Sequence, residues 1–232
     1  MLKAAFDNSG RGLTRPSWSA FAGEFWSYAA YRPRAPEHIG LPRGNGQPVF
    51  VIPAFLTGDR FTYPLRRFLD RCGFRTFGWR RGVNWGPTSG ILRDLDRRFD
   101  ELHRELNTPI NVVGISLGGL FARDLTQRRP DCIRHVVTIA SPVRLPTATP
   151  LEPLFHAFSL VYSHDLDFDR VSAPLPVPWT AIFSRRDGIV AWESCVSADA
   201  NGRSFAVDTP HLVMSRSPDT LRLVVERLAP ET

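Results

Sequence analysis

Residues 112–123 read Val112-Val113-Gly114-Ile115-Ser116-Leu117-Gly118-Gly119-Leu120-Phe121-Ala122-Arg123, and the reading of this stretch decides the fold. An apolar run (Ile110, Val112, Val113) enters it, small residues crowd around one serine, and a helix-compatible sequence leaves it. The physical reading is a buried strand that turns sharply into a helix with Ser116 at the apex. Gly114 and Gly118 have a steric reason. In so tight a turn, strand, helix and serine backbone come close enough that flanking Cβ atoms would collide. The helix then points its first N–H groups at whatever negative charge develops beside the serine. With 17 glycines in 232 residues, a G-x-S-x-G pattern arises by chance in roughly one such chain in ten. Its surroundings must therefore decide its meaning.

Outward from this turn the chain alternates between strand and helix. Val49 to Ile52 is a short apolar strand closed by Pro53, and Phe61 to Arg71 a helix ended by Gly73. Phe74 to Trp79 is the next strand, followed by the loop Arg80 to Pro87. A helix runs from Thr88 or Ser89 to Leu106, with Ile91, Leu92, Leu95, Phe99, Leu102 and Leu106 on one face. Ile110 to Val113 leads into the elbow, Leu117 to Arg128 leads out, and His135 to Ala140 is another buried strand. Residues 141–178 are proline-rich and interrupt the alternation as a lid-like excursion, with room for a short helix around Leu154 to Tyr162. Trp179 to Ser184 and Ser204 to Val207 complete the strands, and Pro218 to Leu228 is the closing helix. Such alternation predicts an α/β fold: a mostly parallel central sheet flanked by helices, with a short lid or cap insertion. Residues 47–232 form this domain. Residues 1–46 read as an N-terminal arm, with Trp18, Phe21, Phe25, Trp26, Tyr28 and Tyr31 as an aromatic helical face that packs on the core or contacts a membrane surface or second copy.

Composition narrows the function. Hydrophobic content of 43% and charged content of 22% suit an ordinary globular chain. The net charge of +6 is almost all arginine, Lys3 being the only lysine. These arginines alternate with acids, as in Arg93-Asp94-Leu95-Asp96-Arg97-Arg98, a solvated-helix pattern rather than a phosphate-tracking stripe. Nucleic acid is accordingly not an expected partner. No run spans a bilayer and no secretory leader is apparent, so a cytoplasmic protein is expected. Three dispersed cysteines, Cys72, Cys132 and Cys195, argue against a disulfide framework or zinc site. Asp165, Asp167 and Asp169 mimic the start of a calcium loop, but Arg170 stands where that loop needs glycine. No metal or cofactor is expected.

In a parallel α/β sheet, function gathers at the carboxyl ends of the strands, where Ser116 lies. A serine hydroxyl needs a base within hydrogen-bond reach and a third group to orient that base. Of six histidines, only His211 follows the last strand and precedes the last helix, so it is the expected base. Asp187, in Ser184-Arg185-Arg186-Asp187-Gly188, lies beyond a strand end on the same edge and is the expected orienting acid. Oxyanion donors are expected from Leu117 N–H, after the serine, and from the loop after the first strand, at Phe55 N–H or its neighbour Leu56.

With these residues in place, residues 47–228 resemble the α/β-hydrolase superfamily, in particular its compact lipase- and esterase-like members. The matching pieces are Val51-Ile52-Pro53-Ala54-Phe55-Leu56, Trp79 through Asn84-Trp85-Gly86-Pro87, Val113-Gly114-Ile115-Ser116-Leu117-Gly118-Gly119, Ser184 through Val190, and His211-Leu212. The order Ser116, Asp187, His211 is the order of that family. Ala54 departs from it, standing where relatives commonly carry glycine, often after histidine. The resemblance implies an eight-stranded-type sheet, acyl-serine chemistry, a lid and a small-molecule acyl ester or lipid-like substrate. Ester hydrolysis is the expected activity, with acyl transfer, thioester cleavage or a silent pocket for hydrophobic ligands as the rivals.

Overall fold

Apolar runs rich in β-branched and aromatic residues form the central strands, more polar runs form the edge strands, and most segments between them form helices of period 3.6. The computed structural model describes residues 13–32, 40–144, 147–153, 166–196 and 199–230. In chain order it contains α1 (Trp18–Ala30), β1 (Pro48–Ile52), α2 (Asp59–Arg71), β2 (Arg75–Gly78), α3 (Ser89–Leu106), β3 (Ile110–Ile115) and α4 (Leu117–Arg128). There follow β4 (Ile133–Ile139), α5 (Phe168–Ser172), β5 (Trp179–Phe183), β6 (Gly202–Ala206), α6 (His211–Met214) and α7 (Pro218–Leu228). The strands lie in the order β2-β1-β3-β4-β5-β6, and every pairing is parallel. Where the resemblance implied an eight-stranded-type sheet, the described residues contribute these six strands.

Alternation along each strand divides the core in two. Phe50 and Ile52 of β1 point to one face, with Val112 and Val136, where they meet α3 (Leu95, Phe99, Leu102) and α4 (Leu120, Phe121). Val49 and Val51 point to the other, with Val113 and Val137, against α2 (Leu65, Leu69) and α7 (Leu221, Val224, Val225). Covered on both faces, these strands read as continuous apolar runs rather than as alternating ones. Local signals set the helix ends. The Thr88 hydroxyl accepts from Ile91 N at the start of α3 (3.2 Å), and Asn107 ends that helix in the left-handed region at φ 45°.

The strand order reverses direction between β1 and β3, and this positions the site. Chain leaving β1 turns away toward β2, while chain leaving β3 turns toward β4, so a crevice opens beyond the carboxyl ends of β1 and β3. Ser116 follows β3 and the Pro53–Thr57 loop follows β1, so both border that crevice.

Helix α6, a single turn, was read from the sequence as loop; one turn is too short to show a period. Helix α5 also lies inside the excursion, while the helix suggested around Leu154 to Tyr162 falls outside the described residues. The end of the excursion is tied down by a buried cation. Arg123, on α4, donates from Nε to Val171 O (2.6 Å) and from Nη2 to Ala173 O (2.6 Å). Its guanidinium lies over the Trp179 ring at 4.3 Å and 3.6 Å from Asp199. Burial pushes its pKa down to about 10 against the pull of Asp199. Removing one partner of a buried ion pair strands the other. Arg123→Ala is therefore expected to lower stability by about 3 kcal/mol, measured by urea unfolding at neutral pH.

Candidate active site

Ser116 occupies a backbone conformation, φ 52° and ψ −119°, that a residue with a side chain adopts only when its surroundings force it. The force is packing. A Cβ at Gly114 would meet the Gly118 carbonyl and Gly119 Cα, and one at Gly118 would meet the Ile52 and Pro53 carbonyls. Helix α4 thus starts in direct contact with both β3 and the end of β1. Ser116 N–H is bonded to Ile139 O of the neighbouring strand (2.8 Å) and Ser116 O accepts from Gly119 N (2.9 Å), which fixes the apex from both sides.

His211 and Asp187 come together as the spacing predicts. His211 Nδ1 lies 2.7 Å from Asp187 Oδ2. Ile189 N and Val190 N donate to Asp187 Oδ1 at 2.8 and 2.9 Å, leaving Oδ2 for the ring. A carboxylate only accepts, so Nδ1 carries the proton and Nε2 is left as the basic nitrogen. Both residues are buried, at 6% and 7% exposure. Burial alone would push the imidazole down; the Asp187 charge and hydrogen bond, with a further contribution from Glu24, overcome it and hold the pKa above the ordinary histidine value.

Ser116 and His211 line one cavity of about 350 Å³, together with Leu117, Phe55, Leu56, Leu120 and Ile189. Almost every lining side chain is apolar. Leu117 N–H is the first of α4, directly after Ser116, at the position expected of an oxyanion donor. In the other loop Leu56, at φ 57°, donates its N–H to Asn84 O (2.7 Å), so that N–H is engaged within the fold. Asn84 is fully buried and braces this loop from outside. Its Nδ2 donates to Pro53 O (2.9 Å), and its N–H to Thr57 O (2.8 Å). Ala54 fits in place of glycine, its carbonyl accepting from Thr57 N (3.1 Å) and Thr57 Oγ1 (2.8 Å).

Other sequence candidates lie elsewhere. His135 bonds Thr180 Oγ1 (3.0 Å), and burial and Arg227 lower its pKa to about 4. His103 stacks on Phe99. His38, His156, His164 and Asp165 fall outside the described residues. Asp167 caps α5 through Arg170 N (3.0 Å). The Cys195 thiol is pushed well up by burial and by the charge of Asp187, so it holds its proton. The excursion supplies Pro142, Leu151, Leu166 and Phe168 to the cavity wall, and the Arg81–Pro87 loop supplies Pro87.

One residue escaped the sequence reading. Glu24, on α1, is 1% exposed. Its Oε1 accepts from Gly188 N (2.7 Å) and His211 N (2.9 Å), and its Oε2 from Leu212 N (3.0 Å). The aromatic face expected to pack this helix is divided instead. Phe21 and Phe25 reach the cavity wall, but Phe25 is itself largely exposed, as are Trp18, Trp26 and Tyr28. The missed signal was a lone acid inside an aromatic helix, where a charge is out of place unless something buried needs it.

No family model matches the chain, and no curated protein matches it in sequence. Solved structures do. Carboxylesterase CesB (YbfK) from Bacillus subtilis superposes with a TM-score of 0.57 at 12% identity, over 93% of this chain and 98% of that one. The naproxen esterase (carboxylesterase NP) of Bacillus subtilis gives 0.55 at 12% identity, over 90% and 96%. A putative non-heme bromoperoxidase, BpoC, from Mycobacterium tuberculosis H37Rv gives 0.54 at 16%, over 83% and 96%. These likenesses agree with the parallel sheet and its crossovers: the chain has the α/β-hydrolase fold.

Proposed function

We propose that the protein is a serine hydrolase that cleaves carboxylic esters of apolar acids through an acyl-serine intermediate. The observation that carries this reading is the 2.7 Å contact between His211 Nδ1 and Asp187 Oδ2 on the wall of the cavity that Ser116 enters. Two of the solved structures it superposes on are named esterases, which supports the same reading.

In the proposed reaction Ser116 Oγ gives its proton to His211 Nε2 and attacks the acyl carbonyl. Leu117 and Phe55 N–H groups hold the tetrahedral oxyanion, each such donor contributing about 2.7–4 kcal/mol of transition-state stabilisation. Asp187 holds the ring in its Nδ1–H tautomer and stabilises the imidazolium. That imidazolium then protonates the leaving alcohol. A water deprotonated by His211 attacks the acyl-serine and releases the acid. The apolar wall from Leu120, Leu151, Leu166 and Phe168 suits a hydrocarbon acyl chain. No helix of the described residues is long and apolar enough to cross a membrane, and a small acyl ester is the expected substrate.

Ser116→Ala is expected to leave a folded protein, judged by circular dichroism, whose p-nitrophenyl ester turnover falls by at least ~10⁴-fold. It is also expected to resist labelling by a fluorophosphonate that labels the wild type. Retained turnover in that variant would sink the reading; wild-type transfer of the acyl group to an added alcohol in preference to water would redirect it to acyl transfer.

The pH profile follows from the raised pKa of His211. Attack requires the neutral ring, so kcat/KM is expected to fall as pH drops through a midpoint above about 6.5. A profile that stays flat down to about pH 5 is incompatible with a histidine base.

A further inference from the structure

Glu24 stands outside the sheet, outside the expected triad and nearly two hundred positions from His211, yet its carboxylate reaches both loops that carry the acid and the base. Gly188 directly follows Asp187, and His211 and Leu212 open α6. The three N–H groups that Glu24 accepts are therefore those beside the acid, of the base itself, and beside the base. The N–H groups of His211 and Leu212 head a helix and have no intrahelical acceptor, so a carboxylate there has a defined task.

The seating of α1 is built around this contact. A Cβ at Gly188 would strike the Ala20 carbonyl and crowd the Glu24 side chain, so helix and acid loop meet backbone to backbone. At the far end of α1, Tyr31 Oη donates to Arg216 O (2.9 Å), and the Arg216 guanidinium lies over the Tyr28 and Phe61 rings. Phe21 packs with Ile189, Val190 and Leu212. The helix is thus pinned to the chain at His211, Leu212 and Arg216, and just after Asp187 at Gly188.

We propose that Glu24 is a positioning residue for the hydrolytic site, its carboxylate setting the distance between the Asp187 and His211 loops and adding a second negative charge beside the imidazolium. This rests on the ester-hydrolase reading of Ser116, Asp187 and His211. Glu24 touches neither substrate nor reacting atoms; it acts through the backbone N–H groups and through its field. The charged groups acting on the ring are Asp187, on the loop after β5, and Glu24, on α1, and Cys195 beside Asp187 keeps its proton. A carboxylate that only satisfied buried donors would, on replacement by glutamine, cost stability but leave the His211 titration and the kcat of the folded protein unchanged. One that positions and charges the site would not.

The test is Glu24→Gln, close in shape and neutral. The expected result is a folded protein in which KM is little changed and kcat falls by about tenfold or more. The acid limb of the pH profile moves to lower pH, because loss of a nearby negative charge favours the neutral ring. The same movement is expected in the titration of the His211 ring followed by nuclear magnetic resonance, which needs no turnover. Wild-type kcat with an unmoved His211 titration would overturn the proposal. Gly188→Ala, which removes no carboxylate but pushes α1, and Glu24 with it, off the acid loop through Ala20 O and the Glu24 side chain, provides the second arm. It is expected to lower kcat in the same way, and unchanged kcat there counts equally against the proposal. If the His211 titration moves in Glu24→Gln while the wild type turns over no ester, the positioning role stands and the ester reading falls.

Discussion

A backbone torsion of +52° at Ser116 is the constraint on which the rest of the structure depends. Such a conformation costs of order 1–3 kcal/mol, and it persists only because every neighbouring segment is too close to let the chain relax. Helix α4 starts against the carbonyls of Ile52 and Pro53, β3 pairs in register with both β1 and β4, and the Ser116 N–H is held by Ile139 O. The central sheet is in this sense a clamp on one residue. The same clamp explains why the sheet changes winding direction where it does. The Ser116 turn and the Pro53–Thr57 loop face each other across the gap between β1 and β3, where the order β2-β1-β3-β4 places them.

Two carboxylates lie buried around one imidazole, an arrangement that burial alone would not tolerate. Backbone donors stabilise it. Asp187 takes the N–H groups of Ile189 and Val190 on one oxygen and the ring on the other. Glu24 takes those of Gly188, His211 and Leu212. Each acid is therefore solvated by peptide groups that the fold has already oriented, and no water has to reorganise as charge appears on the ring. Their combined field, set against desolvation, is what raises the His211 pKa.

Most of this was legible in the sequence because it is written in short-range patterns. The elbow glycines, the apolar strand runs and the order Ser116, Asp187, His211 each depend on a few neighbouring residues or on chain order. The start of α7 is legible because Ser217 caps it and Pro218 opens it, and that of α4 because the elbow glycines mark it. The helical turn at His211 was not legible, because its first N–H groups are satisfied from α1 rather than by a local cap. Nor was Glu24, whose partners lie nearly two hundred residues away. The same is true of the bracing of the oxyanion loop by Asn84, and of the anchor from Arg123 to the residues after α5. These are long-range polar contacts, and no period or spacing announces them. The bond from Leu56 N to Asn84 O belongs to the same class.

Helix α1 links the two halves of the site in a way that follows from helical geometry alone. Phe21 and Phe25 are four residues apart and share a face, and both line the cavity. Glu24 lies one position before Phe25, on the adjoining face, turned toward the loops of Asp187 and His211. A group that fills the cavity therefore packs against the same rigid helix that sets the spacing of acid and base. Displacement of Phe21 or Phe25 would act on α1 at its seat on Gly188, where the two backbones already touch. Packed interiors transmit such displacement rather than absorb it. The filling of the cavity and the seating of the His211 loop are consequently not independent quantities here, because one helix contributes to the cavity wall and holds that loop through Glu24.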